Sequence, residues 1–137
     1  MKAIYSILFF TTLLFVSKVS LCQNAQDYYE SGISKIQLQD YKSAIEDFSK
    51  AIELDSAYTD AYFKRAEIKD ELNDFQGAID DYTKVILLSN NNKEAYYNRG
   101  ISRFKTNDAE GACNDWKKAK ELGDRFAKDL IKKYCTD

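Results

Sequence analysis

The chain has 137 residues, 45% of them apolar and 31% charged, with a formal net charge of −2. That balance suits one soluble domain. Histidine is absent, which removes the commonest general base and metal ligand, and basic residues alternate with acidic ones, so no stretch reads as a nucleic-acid footprint.

The first 22 residues, MKAIYSILFFTTLLFVSKVSLC, differ from the rest. Lys2 precedes an apolar stretch from Ala3 to Val16, a short polar region follows, and there is no acidic residue. This is the layout of a secretory signal peptide. The apolar core is shorter than the roughly 20 residues a transmembrane helix wants. Cleavage after Cys22 would place Ser20 and Cys22 at the small-residue sites. A lipoprotein signal acylated at Cys22 ranks second, because Leu21 fits the position before the cysteine poorly; an uncleaved anchor ranks third. The expectation is an exported protein, periplasmic or secreted, with membrane contact only if Cys22 is lipidated or the segment is retained.

From Ala25 onward the chain repeats itself every 34 residues, in units 25–58, 59–92 and 93–126. The fourth place of each unit is Tyr28, Tyr62, Tyr96; the eighth is Gly32, Ala66, Gly100; the twentieth is Ala44, Ala78, Ala112; the twenty-fourth is Phe48, Tyr82, Trp116. Large residues align with large and small with small, a strong repeat signal. Each unit reads as two helices. The sequence has no proline and only five glycines, so breaks are scarce. Asp40, Asp74 and Asp108 stand at the sixteenth place, where a short side chain can bond free backbone N–H groups in the turn. In the second helix, apolar places 20, 21, 24, 27 and 28 follow the helical period. After Gly123, residues 124–135 predict a seventh helix that caps the stack. Phe126, Leu130, Ile131 and Tyr134 lie on or near one face, and Lys128, Asp129, Lys132 and Lys133 form a wet one.

Two cysteines remain beyond the signal, Cys113 and Cys135. Cys113 lies ten residues before Gly123 and Cys135 twelve after it. If the two helices run antiparallel, these are depths of about 15 and 18 Å. An oxidising compartment then favours a disulfide. The other reading is that Cys113 is a small core residue, since Ile45 and Ile79 occupy its place in the other units.

The repeat pattern closely resembles the tetratricopeptide repeat family over residues 25 to about 126. The resemblance implies an all-α solenoid: three helix-turn-helix hairpins stacked in a right-handed superhelix with a concave groove. Some places depart from the family pattern. The seventh holds Ser31, Arg65 and Arg99 instead of a large apolar residue. The proline expected near the thirty-second place is Ser56, Asn90 and Asp124, and the third unit has Ala109 and Lys120 at its seventeenth and twenty-eighth places. These departures read as loose repeat ends and a terminal repeat altered to meet its cap.

In the family, places 2, 5, 9 and 12 of each first helix face the groove. The resemblance therefore puts Tyr29, Phe63 and Tyr97 in an aromatic ladder, with Ile33, Glu67, Ile101, Ile36, Asp70 and Phe104 beside it. Lys64 and Arg99 are then available to anchor acids or carbonyls. Either the rings form an exposed binding patch, or the superhelix tucks them into its own packing. The family's clamp for acidic chaperone termini would fall on Tyr29, Ile33, Lys64, Glu94 and Asn98, and its cations are missing.

No Gly-rich phosphate loop, CxxC pair or metal-spaced cluster is present, so neither cofactor nor metal is expected. Acidic pairs such as Asp80–Asp81 and Asp70–Glu71 read as solvated helix faces rather than as catalytic dyads. The sequence points to a non-catalytic scaffold of the bacterial cell envelope that holds a partner peptide or helix. The alternative is a self-associating or accessory subunit of an envelope assembly.

Overall fold

The computed structural model describes residues 24–135. The N-terminal segment that the sequence reads as a signal lies outside them. Among the described residues seven helices follow one another: α1 (Ala25–Gln37), α2 (Tyr41–Leu54), α3 (Thr59–Glu71), α4 (Phe75–Leu88), α5 (Lys93–Lys105), α6 (Ala109–Glu121) and α7 (Ala127–Tyr134). The helices pack in chain order, α1 on α2, α2 on α3 and so on to α6 on α7, which makes a solenoid of paired helices closed by a cap.

The turn inside each hairpin is built alike. Gln39, Asn73 and Asn107 take the left-handed conformation, with φ of 58°, 62° and 65°. Asparagine tolerates that region better than most residues. The next residue, Asp40, Asp74 or Asp108, caps the second helix by accepting from the backbone N–H of Ser43, Gly77 or Gly111. The same aspartate's own N–H reaches back to the carbonyl of Lys35, Lys69 or Arg103, closing the first helix.

Each repeat has its own small core. Phe48, Tyr82 and Trp116 are almost fully buried, ringed by alanines that let the helices approach. The glycines at the eighth place face these rings: a Cβ on Gly32 would sit 2.7 Å from Phe48, and one on Gly100 would sit 2.5 Å from Trp116. Ala61 of α3 belongs to the core of the first hairpin and Ala95 of α5 to that of the second, so these two cores are completed by the next repeat and the third by Ala127.

The seventh-place residues are not loose ends. Arg65 lies across the interface between repeats. Its Nε and one terminal nitrogen donate to both oxygens of Asp81 at 2.8 and 2.7 Å, and the other terminal nitrogen donates to Ser49 Oγ of the preceding repeat at 2.8 Å. Arg99 repeats the arrangement one unit on, with Asp115 at 2.9 and 2.7 Å and Thr83 Oγ1 at 3.1 Å. Lys69 and Arg103 add a second cation to each aspartate. In the first repeat the smaller Ser31 takes the arginine's place, donating to Asp47, which also pairs with Lys35. The expectation that Asp80–Asp81 lies on a solvated face therefore fails for Asp81, which is 4% exposed. A buried carboxylate needs such partners to remain charged.

The cap helix starts at Ala127, three residues later than position 124. Asp124 Oδ1 accepts from the N–H groups of both Phe126 and Ala127 at 2.9 Å, so the turn holds Phe126 outside the helix. Ala127, Leu130 and Ile131 pack on the third core, whereas Phe126 is 66% exposed and does not share that face. The Sγ atoms of Cys113 and Cys135 lie 2.05 Å apart, which joins α6 to the end of the cap. Among the described residues, no helix is long and apolar enough to cross a membrane.

Candidate functional site

Two clefts open beside α3 and α5, the first helices of the second and third repeats. The larger, about 500 Å³, is walled by Ile36, Tyr41, Ile68, Tyr82 and Asn98, with Lys64, Glu67, Asp70 and Glu71 supplying charge. The second, about 290 Å³, lies between Phe63, Tyr97 and Phe126, with Lys93, Glu94, Asp124 and Arg125 around it. Both share Glu67 and Asn98, so they lie side by side along one groove.

The aromatic ladder divides. Tyr29 packs against Phe48 and Tyr58 with ring centroids 5.6 and 5.1 Å apart, so its ring serves the first core. Burial, with nearby Asp60, pushes its hydroxyl above the ordinary tyrosine range. Ile33 packs against that core too. Phe63 meets Tyr82 edge-on at 5.6 Å yet keeps a face on the groove. Tyr97 is half-buried and also lines the groove, while its carbonyl accepts from Trp116 Nε1 at 3.2 Å. Ile101 packs on the third core. Phe104 lies against Tyr134 of the cap at 4.5 Å and Trp116 at 5.9 Å, so the cap claims it.

The charged candidates fare differently. Lys64 reaches Glu67 at 2.8 Å, and that bond holds its ammonium above the usual lysine range. Glu67 borders both clefts. Arg99 is not free to anchor a ligand: Asp115 and Thr83 occupy its guanidinium, and its side chain is 11% exposed. The sequence places it by a helical face, but an arginine is long enough to turn back between helices and neutralise a buried acid.

Two groups named from the sequence take surroundings it did not indicate. Asp70 accepts from the fully buried Ser102 Oγ at 2.7 Å. Burial pushes its carboxyl above the usual range, and the Ser102 and Tyr82 hydroxyls offset this only in part. The sequence had signalled Asp70 only as a groove neighbour and half of an acidic pair. Phe126 was assigned to the cap; Asp124 two residues before it, a strong capping residue, was the available signal that the helix would start later. Among the described residues, no group of three or more His, Cys, Asp or Glu side chains is placed to hold a metal ion.

Matches to known proteins agree with this geometry. A model described as TPR repeat matches residues 34–69, and one described as tetratricopeptide repeat matches residues 59–92. Residues 34–92 of this all-α chain therefore carry tetratricopeptide repeats. Its tetratricopeptide repeats superpose on the first such domain of Spaghetti (RPAP3), solved bound to the HSP90 peptide SRMEEVD, with a TM-score of 0.76 and 25% identity over 82% of this chain and 90% of that one. The Arabidopsis OM64 TPR domain gives 0.74 and 28%, over 80% and 93%. YrrB, described as a TPR protein with an unusual peptide-binding site, gives 0.73 at 22% identity, over 81% of this chain and 58% of that one, a likeness of fold. No curated protein sequence matches the chain.

Proposed function

We propose that this protein is an exported interaction module of the bacterial cell envelope, holding an extended segment or helix of a partner protein in the groove along α3 and α5. One observation carries the reading: the half-buried rings of Phe63 and Tyr97 and the exposed ring of Phe126 converge on one cleft. Exposed aromatic surface beside a preformed groove is the usual mark of a protein-binding site. The RPAP3 domain, bound to a peptide, supports the same use of this fold. The groove here is not suited to an acidic terminus such as that of SRMEEVD: neither Tyr29 nor Ile33 supplies a cation, Lys64 is engaged by Glu67, and Glu94 adds a negative charge. The export half of the reading rests on Lys2 and the apolar run from Ala3 to Val16.

Crosslinking in the native cell followed by mass spectrometry tests the groove. Protein carrying Phe63→Ala, Tyr97→Ala and Phe126→Ala should lose partners that the wild type captures. Recovery of the same partners by folded triple variant would refute the groove assignment. The intact mass of the protein from cells tests export, because an unprocessed Met1 end would contradict a cleaved signal.

A further inference from the structure

The two halves of the groove differ in chemistry. In the larger cleft three carboxylates, Glu67, Asp70 and Glu71, face one ammonium, Lys64, which Glu67 already engages. Asp70 stands apart from the other inward carboxylates. Asp47, Asp81 and Asp115 each hold a cation, whereas no described lysine or arginine pairs with Asp70. The neighbouring cations are committed: Lys69 to Asp81 and Arg103 to Asp115. Asp70 is left half-buried at the groove wall with a neutral donor, Ser102. Such a carboxylate gains from a cation delivered from outside, because attraction strengthens away from bulk water. The adjoining cleft brings three aromatic rings together among charged groups of both signs, Lys93, Glu94, Asp124 and Arg125. Phe126 stands outside the third core, is 66% exposed and borders a space shared with Phe63 and Tyr97, which suits a bulky apolar side chain.

We propose that the groove reads a basic–apolar segment of its partner: a Lys or Arg side chain enters the acidic cleft beside Asp70, and a neighbouring bulky apolar side chain seats under Phe126. The occupant follows from charge complementarity between the three carboxylates and an incoming cation, and from the shared wall of Glu67 and Asn98 that makes the two seats adjacent. The inference rests on the groove reading above and gives it a partner chemistry.

Fluorescence anisotropy on the chain as purified from cells tests it. The probes are capped eight-residue peptides in a Gly/Ser background: one with Arg beside Leu, one with Glu replacing that Arg, and one with Ala replacing that Leu. The Arg–Leu peptide should bind at least tenfold more tightly than the Glu version, and its affinity should fall as NaCl rises. Asp70→Asn with Glu71→Gln should erase most of the preference for Arg over Glu. Phe126→Ala, at an exposed position, should weaken the Arg–Leu peptide severalfold and leave the Arg–Ala peptide unchanged. Equal or tighter binding of the Glu peptide, or indifference of the Arg–Leu peptide to Phe126→Ala, overturns the proposal. If binding of those peptides still vanishes in the Phe63→Ala/Tyr97→Ala protein, the groove reading survives alone. No peptide binding together with a dimer in light scattering also overturns it, a second copy then being the occupant.

Discussion

Replacing Asp81 by Ala should be among the most damaging single changes in the chain, and the equivalent change at Asp47 should be markedly milder. Asp81 is 4% exposed and accepts three charge-assisted bonds, two from Arg65 and one from Lys69, all between 2.7 and 2.8 Å. Without it, two cations with side chains only 17% and 19% exposed lose their countercharge. Breaking a buried pair in this way costs about 3–5 kcal/mol. Asp47 holds a neutral hydroxyl, Ser31, and an ammonium, Lys35, that is 32% exposed and can turn to water. Losing bonds to one charged group costs about 1.5–3 kcal/mol, and this site belongs at the low end. At roughly 4 °C per kcal/mol, Asp81→Ala should lower Tm by about 12–20 °C. Urea unfolding followed by circular dichroism, with calorimetry, measures both variants. A triple replacement, Asp81→Leu with Arg65→Met and Lys69→Met, should recover much of the loss, since an apolar substitute for a buried ionic cluster is often neutral or stabilising. Burial pushes the Asp47 carboxyl up, but Lys35 and Ser31 more than offset it, so it titrates below the ordinary range. Its contribution is therefore present above the unfolded pKa of about 4 and is lost as pH falls through the lower folded value. Equal losses at Asp47 and Asp81, or a loss below about 1 kcal/mol at Asp81, would refute the argument from burial.

Three further outcomes follow from particular contacts. Gly100→Ala should destabilise by about 1–3 kcal/mol, because its Cβ would meet Trp116 Nε1 at 2.5 Å; adding Trp116→Tyr, which copies the Ala66–Tyr82 pair, should restore part of the melting temperature. Deleting residues 124–137 uncovers Trp116 and removes Cys135, so the product should lose roughly 1.5–3 kcal/mol from the ring alone and melt well below the intact chain; alkylation of denatured, unreduced protein from its native compartment should label neither Cys113 nor Cys135, and two labelled thiols would rule the bridge out. Asp70 is held above its ordinary pKa mainly by burial, so its ionisation opposes folding: the favourable contribution exists below the unfolded value and is lost as pH rises through the folded one. Asp70→Asn, which keeps an acceptor for Ser102, should accordingly raise Tm at pH 7 and lose that advantage near pH 3, as a melting series against pH would show.

The hairpins were legible because their determinants are local and recur. Place 24 carries a ring, places 8 and 20 carry small residues, and an aspartate marks every turn, so 34-residue spacing alone locates the helices. What escaped was reach. Asp47, Asp81 and Asp115 also recur every 34 residues, as do Lys35, Lys69 and Arg103. Yet an acid on a mixed-charge helix looks solvated until its partners, 12 and 16 residues away, are seen to come from another helix. The groove was legible only in outline for a similar reason. Tyr29 was drawn into the first core by Tyr58, which stands in the connection before α3 and belongs to no helical period. Phe126 turned outward because the two hydrogen bonds that Asp124 accepts from the N–H groups of Phe126 and Ala127 outweighed the helical pattern on which it sat.

The arginine bridges also define a grammar for adding units. A middle repeat presents Arg65 backward to a hydroxyl and Thr83 forward to the next arginine, so it is complete on both faces. The first repeat has Ser31 where a backward arginine would stand, and the third has Lys117 at the place of Ser49 and Thr83. A duplicate of residues 59–92 spliced between the second and third repeats would find its polar partners on either side. A duplicate of the first repeat spliced into that position would strand Thr83 behind it without a guanidinium. Lengthening of this scaffold, by gene duplication or by design, is thus easiest from its centre.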